Sequence, residues 1–345
     1  MKHILLVDNQ LESLEFANKL LHNYYKVSLI TSSKEALEFC EKYIPDLILL
    51  EISMPQMNGF EVINKLKENP RTAKIPVIFL SETSYPEIEA QGFEYGAVDF
   101  ITKPFAKISM LHRIDTHLQL SAYQLQLESM VKELEDSIIT NFSQLIECRD
   151  NETGGHVERT KRYVEILAHE LMKRGKFPNI LSESFVENLA RSAPLHDIGK
   201  IGVSDLILMK PDSLTQEEIE RMKTHTTIGA EVLEKIMKST PSRHYLEIGK
   251  EIAESHHERF DGKGYPYGLK GEEIPLSGRI MAVADVYDAL VSDRVYRKGM
   301  SQEEACEIIL NGRGVQFDPE VIDAFIEVKD VFYKIAKGQI VAELK

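Results

Sequence analysis

Five short apolar runs that alternate with amphipathic stretches are the feature that most restricts the fold of residues 1–104. The runs are 3–8, 26–30, 46–51, 76–81 and 98–102, and the stretches between them are 10–22, 33–43, 58–68 and 86–95. The runs are nearly continuous in Val, Ile and Leu, which is typical of strands buried on both faces. The sequence therefore predicts a doubly wound α/β domain with a five-stranded parallel sheet covered by helices.

The rest of the chain follows a different pattern. Residues 105–150 contain neither Pro nor Gly, which predicts one long helix. Beyond residue 151 the strand pattern is lost, and capping boxes at Thr215–Glu218 and Ser301–Glu304 mark helix starts. Residues 256–278 are rich in Gly and Pro and are expected to form an irregular loop. We therefore expect an all-α C-terminal domain.

The long helix is predicted to join the two domains. The expected division is 1–121 for the α/β domain, 122–145 for a helical connector and 146–345 for the helical domain. Residues recur at spacings of three and four along the helix, in the series Leu127, Val131, Leu134, Ile138, Asn141 and Leu145, in which Asn141 is the polar member. A helix of this length exceeds what a small domain can cover, so we expect part of 105–145 to form a two-stranded homodimer contact. The alternative is a helix packed on its own domain.

Composition excludes several classes of function. The formal charge of −14, from 41 Lys and Arg against 55 Asp and Glu, argues against nucleic-acid binding, which needs a basic face. Three scattered cysteines without a CxxC pair fit a reducing compartment. No apolar run approaches the ~20 residues that span a bilayer, and the N-terminus lacks the features of a signal peptide. We therefore expect a cytoplasmic protein without membrane insertion.

Polar residues follow the predicted strands at the sheet edge where such folds carry their sites. The motifs VDN (7–9), DLILLEISMPQMNGFEVI (46–63), FLSE (79–82) and FITKPF (100–105) resemble the response-regulator receiver domain, a flavodoxin-like fold. In that family an acidic pair holds Mg²⁺, an Asp after the third strand accepts a phosphoryl group, and a Ser or Thr and a Lys contact the phosphate. Asp8, Ser81 and Lys103 match this pattern.

Two positions depart from the receiver pattern. Asn9 replaces the second acid of the pair and removes a charge from a hard-cation site. Glu51 stands where the phosphoacceptor Asp belongs, and its longer side chain could form an ion pair with Lys103 that mimics activation. We expect a pseudo-receiver that is not phosphorylated by the usual route. Whether it fixes dimer geometry, binds a partner or is only structural stays open.

The second half of the chain concentrates potential metal ligands in five separated segments. These are 152–159 (ETGGHVER), 196–200 (HDIGK), His225, 256–266 (HHERFDGKGYP) and 279–297 (RIMAVADVYDALVSDRVYR). Imidazole and carboxylate ligands suit divalent Fe, Mn or Zn. Together the segments resemble the HD-GYP domain of the HD phosphohydrolase superfamily, which cleaves cyclic di-GMP to pGpG and in some members on to GMP.

The resemblance implies a set of metal ligands. It assigns His196, Asp197, His225, His256, His257 and Asp285, with Asp197 as the bridge between two metals. Glu152 and His156 would be ligands of a third metal, and their i, i+4 spacing would put them on one helix face. The expected cofactors are two or three divalent ions, with Fe or Mn favoured. Two such ions can hold a hydroxide between them and clamp a phosphate for in-line attack.

Basic and glycine-rich segments supply the expected substrate contacts. Lys200 follows Asp197 by one turn and is expected to contact the scissile phosphate. Arg294 and Arg297 resemble the family's contacts to ligand phosphates, with surface solvation as the alternative. Gly264 would allow close approach of a ligand to the backbone. Tyr265 could stack on guanine or pack the loop, and cyclase-type domains are possible protein partners of this loop.

Two other functions remain compatible with these residues. The substrate could be another cyclic dinucleotide such as cyclic GMP-AMP, because a fold does not fix a substrate. A non-catalytic adaptor that senses a ligand or binds a partner is the alternative from a different class. Such an adaptor would show no metal-dependent release of pGpG, and its function would survive replacement of His196 and Asp197 by Ala.

Overall fold

A computed structural model describes residues 1–82, 85–149, 155–240, 243–293 and 298–339 of the chain. The predicted ligand Glu152 and the predicted phosphate contacts Arg294 and Arg297 lie outside the described residues. The chain divides into two compact units, Met1–Lys132 and Glu133–Lys345. Within the described ranges, no helix has the length and apolar character needed to cross a membrane.

The first unit is a parallel sheet with helices on both faces. Its strands are β1 (His3–Val7), β2 (Lys26–Ile30), β3 (Leu47–Glu51), β4 (Val77–Ser81) and β5 (Asp99–Thr102), and its first four helices are α1 (Leu11–Leu21), α2 (Ser33–Lys42), α3 (Gly59–Glu68) and α4 (Pro86–Glu94). All pairings are parallel, in the order β2-β1-β3-β4-β5. The predicted doubly wound α/β fold is confirmed.

Alternate residues of the central strands enter two separate cores. Leu5, Ile48 and Phe79 pack on one side of the sheet, and Ile4, Leu49 and Leu80 pack on the other. Strands β1, β3 and β4 are buried on both faces, and each therefore has a nearly continuous run of apolar residues. The parallel register brings the carboxyl ends of these strands, and the polar residues that follow them, to one edge.

Helix α5 (Lys107–Arg149) is a single helix of 43 residues, as the absence of Pro and Gly predicts. Met110, Ile114 and Leu118 near its start are buried in the core of the first unit. Ile146 near its end is buried in a core of the second unit. The predicted apolar stripe between these ends is exposed: the exposed fractions include 62% for Leu127 and 60% for Leu134.

The second unit is helical throughout the part that the structure describes, apart from loops and isolated bridges, which confirms the all-α prediction. Its helices are α6 (His156–Lys173), α7 (Glu183–Ser192), α8 (Asp205–Leu208), α9 (Gln216–Lys223), α10 (His225–Ser239), α11 (His244–Ser255), α12 (Leu276–Val291), α13 (Gln302–Asn311) and α14 (Pro319–Ala336). Short 3₁₀ helices occupy Ala193–Leu195, Ile198–Gly202 and Gly271–Glu273. Both predicted capping boxes form, at the starts of α9 and α13.

One glycine sets the distance between two segments that carry predicted ligands. A Cβ on Gly199 would lie 1.8 Å from the carbonyl oxygen of His225 and 2.5 Å from the backbone nitrogen of Gly229. Only a residue without a side chain lets the 3₁₀ helix Ile198–Gly202 pack directly on the first turn of α10. This contact brings the HDIGK segment against His225.

Candidate metal centre

Four predicted ligands from three segments converge on one point. Asp197 precedes the 3₁₀ helix Ile198–Gly202, His225 is the first residue of α10, and His256 and His257 directly follow α11. One ligand atom of each residue lies within 4.8 Å of the other three. His225 Nε2 is 3.4 Å from Asp197 Oδ1, and His256 Nε2 is 3.8 Å from the same oxygen.

A second group of three predicted ligands lies beside the first. It comprises His156 at the start of α6, His196 just after the 3₁₀ helix Ala193–Leu195, and Asp285 in the middle of α12. His156 Nε2 is 3.4 Å from His196 Nε2 and 3.6 Å from Asp285 Oδ1. Asp197 connects the two groups, because its Oδ2 is 3.3 Å from His196 Nε2 while its Oδ1 faces His225.

Backbone carbonyl groups orient three of these imidazoles. The Nδ1 atoms of His196, His225 and His256 lie 2.9, 2.8 and 3.0 Å from the carbonyl oxygens of Ala193, Met222 and Ile252, respectively. A carbonyl oxygen can only accept, so Nδ1 carries the proton and donates it. In the neutral ring the lone pair is then on Nε2, which is the atom that faces the cluster.

Several atoms at the centre are buried without a hydrogen-bond partner. Among the described residues, these include Asp197 Oδ1, His225 Nε2 and His256 Nε2. A buried polar atom without a partner costs about 1–3 kcal/mol, so three of them pointing at one place require an explanation. A divalent cation would satisfy all three at once, since each offers a lone pair of the type that Fe, Mn or Zn accepts.

Burial also holds three of the histidines in the form that binds metal. It lowers the pKa of His256 to about 3 and lowers the pKa values of His257 and His225 below the ordinary range. These rings are therefore neutral at pH 7. Burial also opposes ionisation of Asp197, but the positive charge of Lys200 and the interactions with His196 outweigh it and hold the pKa of Asp197 well below its usual value.

Lys200 and the glycine-rich loop contact the same centre. Lys200 Nζ is 2.7 Å from Asp197 Oδ2. The ring of Tyr265 stacks on His257, with centroids 4.7 Å apart, so one of its faces is covered by a predicted ligand. A Cβ on Gly264 would come within 2.5 Å of the Glu258 and Arg259 backbone, so this glycine is required for packing inside the loop itself.

Two residues behind His156 were not predicted from the sequence as part of the site. Asp288 accepts a hydrogen bond from His156 Nδ1 at 2.8 Å and is 1% exposed. Arg159 binds both oxygens of Asp288. The signal was available: Asp288 follows Asp285 by three residues in one helix, which puts the two carboxylates on one face. Arg159 follows His156 by three residues in α6, so both side chains share the face that meets Asp288.

The sheet edge of the first unit brings together the predicted pseudo-receiver residues. Lys103 Nζ lies 2.6 Å from Asp8 Oδ2 and 2.5 Å from Glu51 Oε2, and Glu51 Oε1 accepts the backbone N–H of Ser53 at 3.0 Å. Burial works against the charge of Lys103, but its two carboxylate partners outweigh that effect and raise its pKa. Ser81 ends the neighbouring strand β4 and is buried, whereas Asn9 is exposed.

Comparison with known protein families bears on both units. The sequence profile of the HD domain matches residues 141–321, more than half of the chain, and that of the response regulator receiver domain matches residues 4–115. The chain belongs to the HD-domain family and carries a receiver domain ahead of the HD domain. Membership of this family implies that the HD domain binds divalent metal ions, for which the two ligand groups provide the donors.

Two named relatives align with nearly the whole of this HD-domain protein, and a third aligns with part of it. A Vibrio cholerae protein named probable cyclic di-GMP phosphodiesterase is 45% identical, over 97% of this chain and 79% of that protein. The cyclic di-GMP phosphodiesterase response regulator RpfG of Xanthomonas campestris is 35% identical, over 94% of this chain and 87% of its own. The 3′3′-cGAMP-specific phosphodiesterase 2 of Vibrio cholerae is 37% identical, over 59% of this chain and 37% of its own.

Proposed function

We propose that this protein is a metal-dependent phosphodiesterase that hydrolyses cyclic di-GMP to pGpG. The observation that carries the proposal is the double ligand group around Asp197, whose two oxygens face histidines of different groups. The names of two relatives that align with most of this chain support cyclic di-GMP as the substrate. Fe or Mn suits the mixed imidazole and carboxylate donors.

The residues of the centre have different roles in the reaction. Divalent metals supply activation of a water molecule and neutralisation of phosphate charge. Asp197 holds the two ligand groups together, and His196, His225 and His256 present their Nε2 lone pairs because backbone carbonyls fix the opposite nitrogen. Lys200 is assigned to the scissile phosphate, where its ammonium group stabilises the growing negative charge.

The remaining predicted residues complete the site in this proposal. If a third metal binds, Glu152 would join His156 as its ligand, beside the group that His156 forms with His196 and Asp285. Arg294 and Arg297 would bind the outer phosphate oxygens of the dinucleotide. Gly264 and Tyr265 belong to the loop beside His257. The stacking of Tyr265 on His257 favours a packing role for this ring over stacking on guanine.

Hydrolysis by the purified protein tests the proposal. The protein is loaded with Mn²⁺, or with Fe²⁺ without oxygen, and incubated with cyclic di-GMP, and the products are separated by chromatography. We expect pGpG from the wild type and none from the double variant His196→Ala, Asp197→Ala. Absence of any metal-dependent product from the wild type would refute the enzyme and favour a non-catalytic adaptor.

The name of one relative makes a second cyclic dinucleotide, 3′3′-cGAMP, a candidate substrate. The relative named for 3′3′-cGAMP is 37% identical to this chain, although it aligns with a smaller part of it. The same assay with both dinucleotides at equal concentration separates the two candidates. We expect the ratio kcat/KM to favour cyclic di-GMP.

The receiver domain is assigned a role in dimerisation that does not depend on phosphorylation. Glu51 already forms with Lys103 the ion pair that a phosphoryl group would otherwise form, and Asp8 occupies the remaining side of the same ammonium group. Asn9 provides no second carboxylate for Mg²⁺. The domain therefore remains in one state, in which it holds the geometry of the dimer.

The homodimer is proposed to form through the exposed stripe of α5. Leu127, Val131, Leu134, Ile138 and Leu145 are exposed at heptad spacing over nearly three heptads of α5. Such a row of large apolar side chains is costly to leave in water. A second copy of the same helix covers it and gives a parallel two-stranded contact.

A further inference from the structure

His156 is oriented by a different kind of group from three other histidines at the centre. Its Nδ1 donates to the carboxylate of Asp288 at 2.8 Å, whereas backbone carbonyls accept from His196, His225 and His256. The bond leaves the His156 Nε2 lone pair directed at the second ligand group, 3.6 Å from Asp285 Oδ1. A carboxylate is a stronger acceptor than a carbonyl and raises the basicity of the opposite ring nitrogen.

The carboxylate of Asp288 is itself held in one orientation. Arg159 donates from Nε to Oδ1 at 2.7 Å and from Nη2 to Oδ2 at 2.8 Å, which fixes the plane of the carboxylate. Ser292 accepts from Arg159 Nη2 at 3.0 Å and donates to Asp288 Oδ2 at 3.2 Å. With these donors in place, Oδ2 of Asp288 faces Nδ1 of His156.

We propose that Asp288, held by Arg159, is a positioning residue that fixes His156 as an Nε2 metal ligand. The inference rests on the proposed function in one respect, which is that a metal binds at the group His156, His196 and Asp285. Asp288 contributes no ligand atom to either group among the described residues. Loss of an outer partner of this kind costs about 10–100-fold in metal affinity.

A buried ion pair elsewhere in the same unit provides a matched control. Arg279 Nη1 and Asp318 Oδ2 are 2.6 Å apart, and both side chains are buried. This pair contacts no histidine of the metal groups in the part of the chain described. If Asp288 served only as half of a buried ion pair, then Asp288→Asn and Asp318→Asn would act alike.

Metal affinity of the full chain distinguishes these roles. Mn²⁺ is titrated calorimetrically into metal-free wild type, Asp288→Asn and Asp318→Asn, and bound Mn²⁺ is counted after gel filtration. We expect one class of sites in Asp288→Asn to weaken by about 10–100-fold, and the other to keep its wild-type affinity. Asp318→Asn is expected to bind Mn²⁺ as the wild type does. Equal binding by wild type and Asp288→Asn would overturn the inference.

A spectroscopic measurement separates failure of the inference from failure of the proposed function. Nitrogen-15 chemical shifts of the metal-free protein report the tautomer of His156. We expect the Nδ1–H form in the wild type and a mixture of tautomers in Asp288→Asn. If the wild type binds no Mn²⁺, the proposed function fails, while the tautomer of His156 still tests the orientation by Asp288.

A second variant covers the case in which Asp288→Asn does not fold. Arg159→Lys keeps the positive charge but loses the two-pronged contact that fixes the carboxylate. We expect weaker Mn²⁺ binding at the same class of sites, with a smaller change than in Asp288→Asn. If a folded Arg159→Lys protein bound Mn²⁺ as tightly as the wild type, the two hydrogen bonds from Arg159 to Asp288 would not have the role given to them.

Discussion

Replacement of Gly199 by Ala should separate the two segments that form the metal centre. The added methyl group would lie 1.8 Å from the carbonyl oxygen of His225 and 2.5 Å from the backbone nitrogen of Gly229. An ordinary contact begins at 3.4 Å, so the 3₁₀ helix Ile198–Gly202 and α10 would have to move apart by about 1.6 Å. Both opposing atoms belong to the backbone, which cannot rotate away as a side chain can.

The expected cost follows from this geometry. Overpacking of a core costs about 1–3 kcal/mol, and a clash with backbone should reach the upper end of that range. For a unit of this size, about 3 kcal/mol lowers the unfolding temperature by about 6–12 °C. The same movement would lengthen the 3.4 Å separation of Asp197 Oδ1 and His225 Nε2 and weaken metal binding.

The assay is a calorimetric measurement of the unfolding temperature of Gly199→Ala, with a variant of the neighbouring Gly202 as the control. A Cβ on Gly202, in the same 3₁₀ helix, would meet only side-chain carbons of Ile228, at 3.0 Å. We expect Gly202→Ala to change the unfolding temperature by less than about 3 °C, because a side chain can adjust. A Gly199→Ala protein that unfolds within about 2 °C of the wild type and binds metal normally would refute the reasoning.

Three further predictions concern the receiver, the metals and the dimer. After incubation with acetyl phosphate, mass spectrometry should show Glu51 and Asp8 of the wild type unmodified. The double variant Asn9→Asp, Glu51→Asp should gain an acyl phosphate. A stable modification of the wild type would contradict the pseudo-receiver. Removal of metal by a chelator should lower the unfolding temperature of the HD domain by about 5–10 °C relative to protein at a hundredfold excess of metal over its dissociation constant, and an unchanged temperature would count against a folded-state metal site. Leu134→Asp removes an apolar contact from both helices of the dimer, about 3–6 kcal/mol in total, so sedimentation should show at least about 100-fold weaker association, whereas Gln126→Asp beside the stripe should have no such effect.

The pattern of residues predicted the fold because local and tertiary preferences agree. Every residue of β3 and β4, and every residue of β1 after His3, is buried, so the continuous apolar runs had a single interpretation. The capping boxes at Thr215 and Ser301 are local hydrogen bonds that depend only on neighbouring residues. Such features can be read from a single sequence because the physics that causes them acts within a few residues.

Motifs were enough to name the proposed metal ligands, but not the groups that orient them. The carbonyl groups of Ala193, Met222 and Ile252 orient three histidines, and a backbone carbonyl has no signature in the sequence. Asp288 contacts His156 across 132 positions, a pairing that only the packing of α6 against α12 creates. The role of Gly199 is likewise visible only when the oxygen of His225 is seen beside it.

The most direct test of the central claim is hydrolysis of cyclic di-GMP in oxygen-18-labelled water by the Mn²⁺-loaded protein. Attack of water on a phosphorus atom breaks the bond to the 3′-oxygen and places one solvent oxygen in the new 5′-phosphate. We therefore expect pGpG with a single labelled oxygen in that phosphate, and none from the His196→Ala, Asp197→Ala protein. Unlabelled pGpG, or release of pGpG that does not require metal, would contradict the account.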